Sequence, residues 1–150
     1  MKVCVGGTFD PLHKGHKTLI KKALQIAGEN DSVFIGISTG KLLENKINVS
    51  SYDIRKKNLE IFLSKIKFLG EIIIQSISNE FGPTLKGDFD AIVVSPETIN
   101  TAKKINIERE KIGKKPLKII QIPFVLAEDG FPISSTRIRE KKIDVNGENI

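Results

Sequence analysis

Short apolar runs alternate with longer amphipathic stretches over the whole length of the sequence. Val3, Cys4 and Val5 lie in a run from Lys2 to Gly6 that reads as a buried strand, closed by the pair Gly6-Gly7. From His13 to Ala27 the apolar positions Leu19, Ile20, Ala23, Leu24 and Ala27 follow a helical period, and Gly28 is placed to cap the C-terminus. Ser32 to Ser38, with Val33, Phe34, Ile35 and Ile37, is a second strand, followed by a polar loop to about Ser50. Leu59, Phe62, Leu63 and Ile66 line one face of the next helix, which Ser50 or Ser51 can cap and Gly70 ends. Ile72-Ile73-Ile74 marks a third strand, and an irregular stretch containing Phe81-Gly82-Pro83 reaches to Asp90. Ala91 to Ser95 is a fourth strand, helix resumes near Ile99 and stops at Gly113, and Leu117 to Ile122 is a fifth strand. After a turn at Glu128-Asp129-Gly130, any of Ser134, Ser135 and Thr136 can cap a last short helix. The polar residues beyond about Ile143 predict a poorly ordered tail.

Several of these strands are apolar at nearly every position, as strands buried on both faces are. With helices between them they predict an α/β domain, an open parallel five-stranded sheet with helices on both faces. No internal repeat or linker interrupts the pattern, so residues 1–150 are expected to form one domain around one core. In such sheets ligands bind beyond the carboxyl ends of the strands, which makes the residues just after each strand the place to look for function.

Composition narrows this only slightly. With 39% apolar and 28% charged residues the chain has the make-up of an ordinary globular protein. Lys and Arg outnumber Asp and Glu by 24 to 18, a net charge of +6 that suits phosphate-bearing partners, small or polymeric, although most of it reads as solvated surface. The single Cys4 can form no internal disulfide and sits in an apolar run, as a core thiol would. The first apolar run breaks at the glycine pair, unlike a signal peptide, and nothing approaches the length of a membrane span. A cytoplasmic protein with no membrane contact is expected.

The chemistry concentrates after the first strand, in Gly6-Gly7-Thr8-Phe9-Asp10-Pro11-Leu12-His13-Lys14-Gly15-His16. The glycine spacing is neither that of a P-loop nor that of a dinucleotide fingerprint. The ingredients of a phosphate site are nonetheless present: a glycine pair that permits close backbone approach, a hydroxyl on Thr8, and a helix whose unpaired first-turn N–H groups would point at the same place. His13 and His16, the two histidines of the chain, are three apart and share one face of that turn, with Gly15 leaving bare backbone between them. A metal site is the alternative, but only Asp10 is near in sequence as a further ligand. A structural reading would have one histidine cap the helix.

GTFDPLHKGH is similar to the opening motif of the HxGH nucleotidyltransferase superfamily, and Ile133-Ser134-Ser135-Thr136-Arg137-Ile138-Arg139 resembles its second signature, ISSTxIR. Class I aminoacyl-tRNA synthetases share the first motif but carry a lysine-rich loop as the second, which is missing here. From Val3 to about Arg139 the chain most resembles the archaeal and eukaryotic type of phosphopantetheine adenylyltransferase. Phe81-Gly82-Pro83, Val93-Val94-Ser95-Pro96-Glu97-Thr98, Ile105-Asn106 and Arg109 carry that resemblance. It implies a Rossmann-like fold and the reaction of ATP with 4′-phosphopantetheine to give dephospho-coenzyme A and pyrophosphate, with Mg²⁺ carried by the ATP phosphates and no metal site built by the protein.

The resemblance also implies roles. His16 stabilises the α-phosphate, as a donor or a cation; Thr8 orients the attacking phosphate; and Lys46, standing before the motif that ends in Arg55, bridges the two, with Lys41 as rival. His13 helps seat the triphosphate, while Gly7, Phe9 and Gly15 shape the nucleotide pocket. Pro96, Glu97 and Thr98 flank the adenine or ribose, and Ser134, Ser135 and Thr136 hold the β- and γ-phosphates with Arg137 or Arg139. Asp10 is counted with the acceptor's site. The bacterial enzymes have arginines after the fourth strand where this chain has Ser95 and Thr98; Arg109 is the candidate replacement, against a surface or ion-paired role. The chain is expected to be a monomer or weak homo-oligomer that binds no nucleic acid. Two other readings stay open: the same chemistry on FMN, nicotinamide mononucleotide or glycerol phosphate, and a non-catalytic RNA-binding domain, which the sparse aromatics disfavour.

Overall fold

A computed structural model describes residues 1–150. Five strands, β1 (Val3–Gly7), β2 (Ser32–Ser38), β3 (Glu71–Ile77), β4 (Ala91–Val94) and β5 (Lys118–Gln121), form one sheet in the order β3-β2-β1-β4-β5, every pair parallel. Four helices accompany them: α1 (Lys14–Ala27), α2 (Tyr52–Ser64), α3 (Ile99–Lys111) and the short α4 (Ser135–Arg139). This is the expected Rossmann-like sheet, and its order reverses direction between β1 and β4. The crevice beyond the carboxyl ends of those two strands is therefore the switch point, where such sheets bind ligands.

The two-residue period of the strands sorts the core into two layers. Val3, Val5, Val33, Ile35, Ala91 and Val93 face α1 and α2, meeting Leu19, Ile20, Ala23, Leu59 and Leu63. Cys4, Phe34, Ile92 and Val94 point to the other face and pack on Ala102 and Ile105 of α3 and on Leu117. Cys4 is the expected core thiol: its Sγ donates to the Ala91 carbonyl, and burial pushes its pKa up to about 12. No helix is long and apolar enough to cross a membrane.

The elements depart from the sequence reading in three places. Helix α2 stops at Ser64, because the amides of Lys65 and Ile66 turn back to the Phe62 and Leu63 carbonyls in tighter turns; Ile66 keeps its place against the core without being helical. Strand β3 runs past Ile74 to Ile77, since Gln75 and Ser76 continue the ladder opposite Gly36 and Ile37. An edge strand tolerates polar residues that an apolar-run criterion stops at. The segment beyond 143, expected to be poorly ordered, is tied down instead. Ile143 is fully buried with Ala127 and Ile133, and the Val145 and Gly147 carbonyls accept from the amides of Lys14 and Glu128 at 2.9 and 2.7 Å.

Candidate active site

The cleft at the switch point encloses about 860 Å³, enough for a nucleotide-sized ligand, and its walls carry most of the residues that the motifs single out. Gly6 and Gly7 end β1 on its floor. The chain then turns at Phe9, whose φ of 54° is unusual for a bulky residue. That turn drops the phenyl ring into the core, 1% exposed, beneath Gly7 and edge-on to His16 at 5.2 Å between centroids. A Cβ at position 7 would stand 3.1 Å from the Phe9 ring, so glycine there lets the ring close up under the floor. Phe9 thus shapes the pocket from behind; its side chain does not line the cleft.

The two histidines form a capping box at the start of α1. His13 Nδ1 accepts from the amides of Gly15 and His16, at 3.0 and 3.4 Å, and His16 Nδ1 accepts from the His13 amide at 3.3 Å. Each ring is therefore neutral, with its proton on Nε2. The rings stack at 3.7 Å between centroids. Burial holds their pKa values down, His13 at about 4 and His16 at about 3; for His16 the neighbouring His13 and Lys46 act in the same direction, and the Pro11 backbone opposes them. A Cβ on Gly15 would come within 2.8 Å of His13 Cε1, so the side of Gly15 expected to be bare is covered by His13.

This arrangement corrects one expectation. The Lys14 amide is taken by Val145, and those of Gly15 and His16 by His13, so the first turn of α1 has no free N–H group to offer an anion. Anion binding at this end falls to side-chain donors. His13 is the capping residue that the structural reading envisaged, and His16 is left with a neutral Nε2–H.

Opposite them, Lys46 reaches across and donates from Nζ to the Thr8 hydroxyl. Partial burial, with the charges of Arg139 and Arg55 adding to it and Glu97 opposing, holds this ammonium below the usual lysine range. Lys41, the rival, lies in a single 3₁₀ turn at Gly40–Leu43 and does not line the cleft. Asp10 lines it but is engaged: its carboxylate accepts from the Ser50 amide at 2.8 Å and stands 3.8 Å from the Arg139 guanidinium. Arg139 also donates to the Asp10 carbonyl at 2.8 Å, which brings α4 up to the loop after β1.

In α4, Ser134 is the N-cap and its Oγ accepts from the Arg137 amide at 3.2 Å. The amides and hydroxyls of Ser135 and Thr136 make no hydrogen bond within the protein, and both residues line the cleft. Arg137 does not line it. It pairs with Asp129, donates to the Pro132 carbonyl at 2.9 Å and lies over the Phe131 ring. Of the two signature arginines only Arg139 is in place. Pro96, Glu97 and Thr98 line the crevice where β4 ends, with Thr98 Oγ1 accepting from the Ser95 amide at 3.1 Å.

Arg109 is a second correction. It is 4% exposed, and its guanidinium donates to the carbonyls of Lys115, Thr84 and Gly87 at 2.8, 2.6 and 3.1 Å. Committed to holding the 84–87 loop, it does not enter the cleft as a substrate ligand. The sequence reading missed the apolar lobe of the cleft, where Phe34, Ile77, Phe81, Pro83, Ala102 and Ile105 meet. Its sequence signals are Phe81-Gly82-Pro83 and the Ile105 of Ile105-Asn106. The reading also gave no role to Arg55, which is buried at the root of the lysine loop.

A family model described as cytidylyltransferase-like matches residues 4–141. The phosphopantetheine adenylyltransferase of Methanosarcina mazei is 48% identical over 97% of this chain and 95% of that protein. That of Archaeoglobus fulgidus is 43% identical over 98% of each. Among solved structures, a protein of unknown function from A. fulgidus superposes with a TM-score of 0.72 at 38% identity, covering 83% of this chain and 99% of that one. A lipopolysaccharide core biosynthesis protein from Thermoplasma volcanium shares the fold, with a TM-score of 0.58 at 19% identity over 81% of this chain and 95% of the other.

Proposed function

Since the chain belongs to the cytidylyltransferase-like family, as a phosphopantetheine adenylyltransferase, we propose that His16, Lys46 and Thr8 are its catalytic residues. The reaction moves the adenylyl group of ATP onto 4′-phosphopantetheine, giving dephospho-coenzyme A and pyrophosphate, a step of coenzyme A biosynthesis. An oxygen of the 4′-phosphate attacks the α-phosphorus, and the bond from that phosphorus to the β-bridging oxygen breaks. The nucleophile is already an anion at neutral pH, so no general base is needed. What the protein must supply is alignment of two polyanions and donors for the charge that gathers on the α-phosphate.

The Lys46–Thr8 contact is the observation that carries this assignment, because it brings an ammonium and a hydroxyl together within reach of the neutral His16. Thr8 and Lys46 would hold the attacking phosphate, and Lys46 would bridge it to the α-phosphate. His16 would donate from Nε2 to the α-phosphate oxygens as a neutral imidazole, leaving positive charge to Lys46 and Arg139. The unpartnered amides and hydroxyls of Ser135 and Thr136 would receive the β- and γ-phosphates, with Pro96, Glu97 and Thr98 beside the adenosine. The apolar lobe past Ile77 suits the pantetheine arm. Mg²⁺ would enter on the triphosphate and offset its charge. The donor set fits that, since Asp10 is engaged by Ser50 and Arg139 and no cluster of three His, Cys, Asp or Glu stands ready to hold an ion. The same reading has the enzyme working in the cytoplasm, as a monomer or weak homo-oligomer, with no nucleic-acid partner.

Acceptor competition tests the reading. With ATP in excess, 4′-phosphopantetheine should support pyrophosphate release at least about tenfold better in kcat/KM than FMN, nicotinamide mononucleotide or glycerol phosphate, because those acceptors leave the arm's lobe unfilled. The product should have the mass of dephospho-coenzyme A. A better rate with any of the other three would overturn the assignment of the lobe.

A further inference from the structure

Arg55 takes no part in the mechanism above and does not line the cleft, yet it is among the most completely buried large side chains of the protein, at 2% exposure. It belongs to none of the chain's ion pairs. The Asp10 carboxylate is near enough to act on its charge but not in contact, and burying a guanidinium without a contacting carboxylate is costly unless its donors are well used. Here they are spent on three carbonyls from three separate segments. Nε donates to Ser50 at 2.8 Å, and Nη1 donates to Ser38 at 2.7 Å and to Thr8 at 3.3 Å. Ser38 ends β2, Thr8 is the first residue after β1, and Ser50 closes the loop that leads into α2.

Those segments are the ones that must agree for the lysine to act. Lys46 lies in the loop between β2 and α2, four residues before Ser50, and its ammonium meets the hydroxyl of the same Thr8 whose carbonyl Arg55 holds. Ser50 is gripped on both sides, its carbonyl by Arg55 and its amide by Asp10. A planar fork with diverging donors can span such a set; an ammonium cannot. We infer that Arg55 is a positioning residue, which fixes the loop of Lys46 against the backbone of Thr8 and so sets where the lysine bridges the two reacting phosphates. The inference rests on the catalytic role given to Lys46.

Steady-state and single-turnover kinetics of Arg55→Lys, Lys46→Ala and the double variant test it, with melting curves for each. Arg55→Lys keeps the charge and loses the fork. Misplacing a catalytic group by about an ångström can cost about 10²-fold, so kcat should fall by about 10- to 100-fold. The KM for ATP should stay within about threefold. The double variant should be no slower than Lys46→Ala alone, because a lysine that is gone cannot be misplaced. Effects that multiply, as they would if Arg55 merely stabilised the fold, overturn the inference. So does an Arg55→Lys enzyme of unchanged kcat, or loss of cooperative melting in both Arg55→Lys and Arg55→Gln, which would make Arg55 a folding residue. A Lys46→Ala enzyme of near-normal rate, measured with Arg55 intact, would show that the site reading itself has failed and would take this inference with it.

Discussion

At the scale of single residues, His16 is bound from two sides before any substrate arrives. Its Nδ1 is held by the His13 amide and its ring is stacked on His13, which leaves one donor with one direction. Converting it to Ala should lower kcat by roughly 10²–10³, the usual loss when one donor to a developing oxyanion is removed, with a much smaller change in ATP affinity. His16→Gln should recover melting temperature, since Gln at this position can still accept from the capping amide, without recovering rate. An Ala variant with a near-normal single-turnover rate would sink the catalytic role. The depressed pKa values make a second prediction. The unfolded histidines titrate at about 6.5, whereas the folded ones hold out to about 4 and 3, so between those values the unfolded state binds more protons. The histidine contribution is therefore fully present above pH 6.5 and drains away as pH falls toward 3. Its slope is at most about 1.4 kcal/mol per pH unit for each ring. Urea melts at pH 7.5, 6 and 4.5 should show this loss, and His13→Asn, which keeps a cap acceptor and removes a titrating ring, should lessen it. A variant with the wild-type pH slope would contradict the neutral capping box.

At the scale of elements, the two helix starts at the cleft have divided the work. The first turn of α1 is closed off by His13 and Val145, whereas α4 keeps the Ser135 and Thr136 amides free and spends Ser134 on its own cap. The adjacent serines should then behave differently. Ser134→Ala should cost about 1 kcal/mol of stability, as loss of a cap does. Ser135→Ala should raise the KM for ATP while leaving kcat and melting temperature nearly unchanged, because contacts to phosphates that change little before the transition state give uniform binding. Interchanged phenotypes would mean that the helix start is shifted by one residue. Sequence alone offered Ser134, Ser135 and Thr136 as equivalent caps, since all three have the right chemistry. The choice is made by tertiary contacts, with the Ile133 amide fixed on the Val125 carbonyl just before the turn. The same limit explains β3, whose polar second half is legible only once β2 is known to lie beside it.

At the scale of the whole molecule, the alternation of elements and the double burial of the strands were legible from apolar spacing, because burial is what fixes those residue types. So was the place of the first motif. The arginines were not, because Arg55, Arg109, Arg137 and Arg139 present the same side chain in sequence and are told apart only by what surrounds them. Two hold buried carbonyls, one is paired with Asp129 and one lines the cleft beside Asp10. The order of the strands has a further effect. Because β1 lies between β2 and β4, a chain that has assembled only β1 to β3 with α1 and α2 owns the histidines and the lysine but lacks the walls at 96–98 and 134–139. With the ATP site proposed above, such a partly folded species would have no cleft for the nucleotide, which would recognise the finished fold alone. Ligand linkage then adds its full binding free energy to stability, about 2.7 kcal/mol at a free concentration a hundredfold above Kd. Wherever ATP is that abundant, the folded population would be held up by the enzyme's own substrate, and it would shrink when the nucleotide pool is drained.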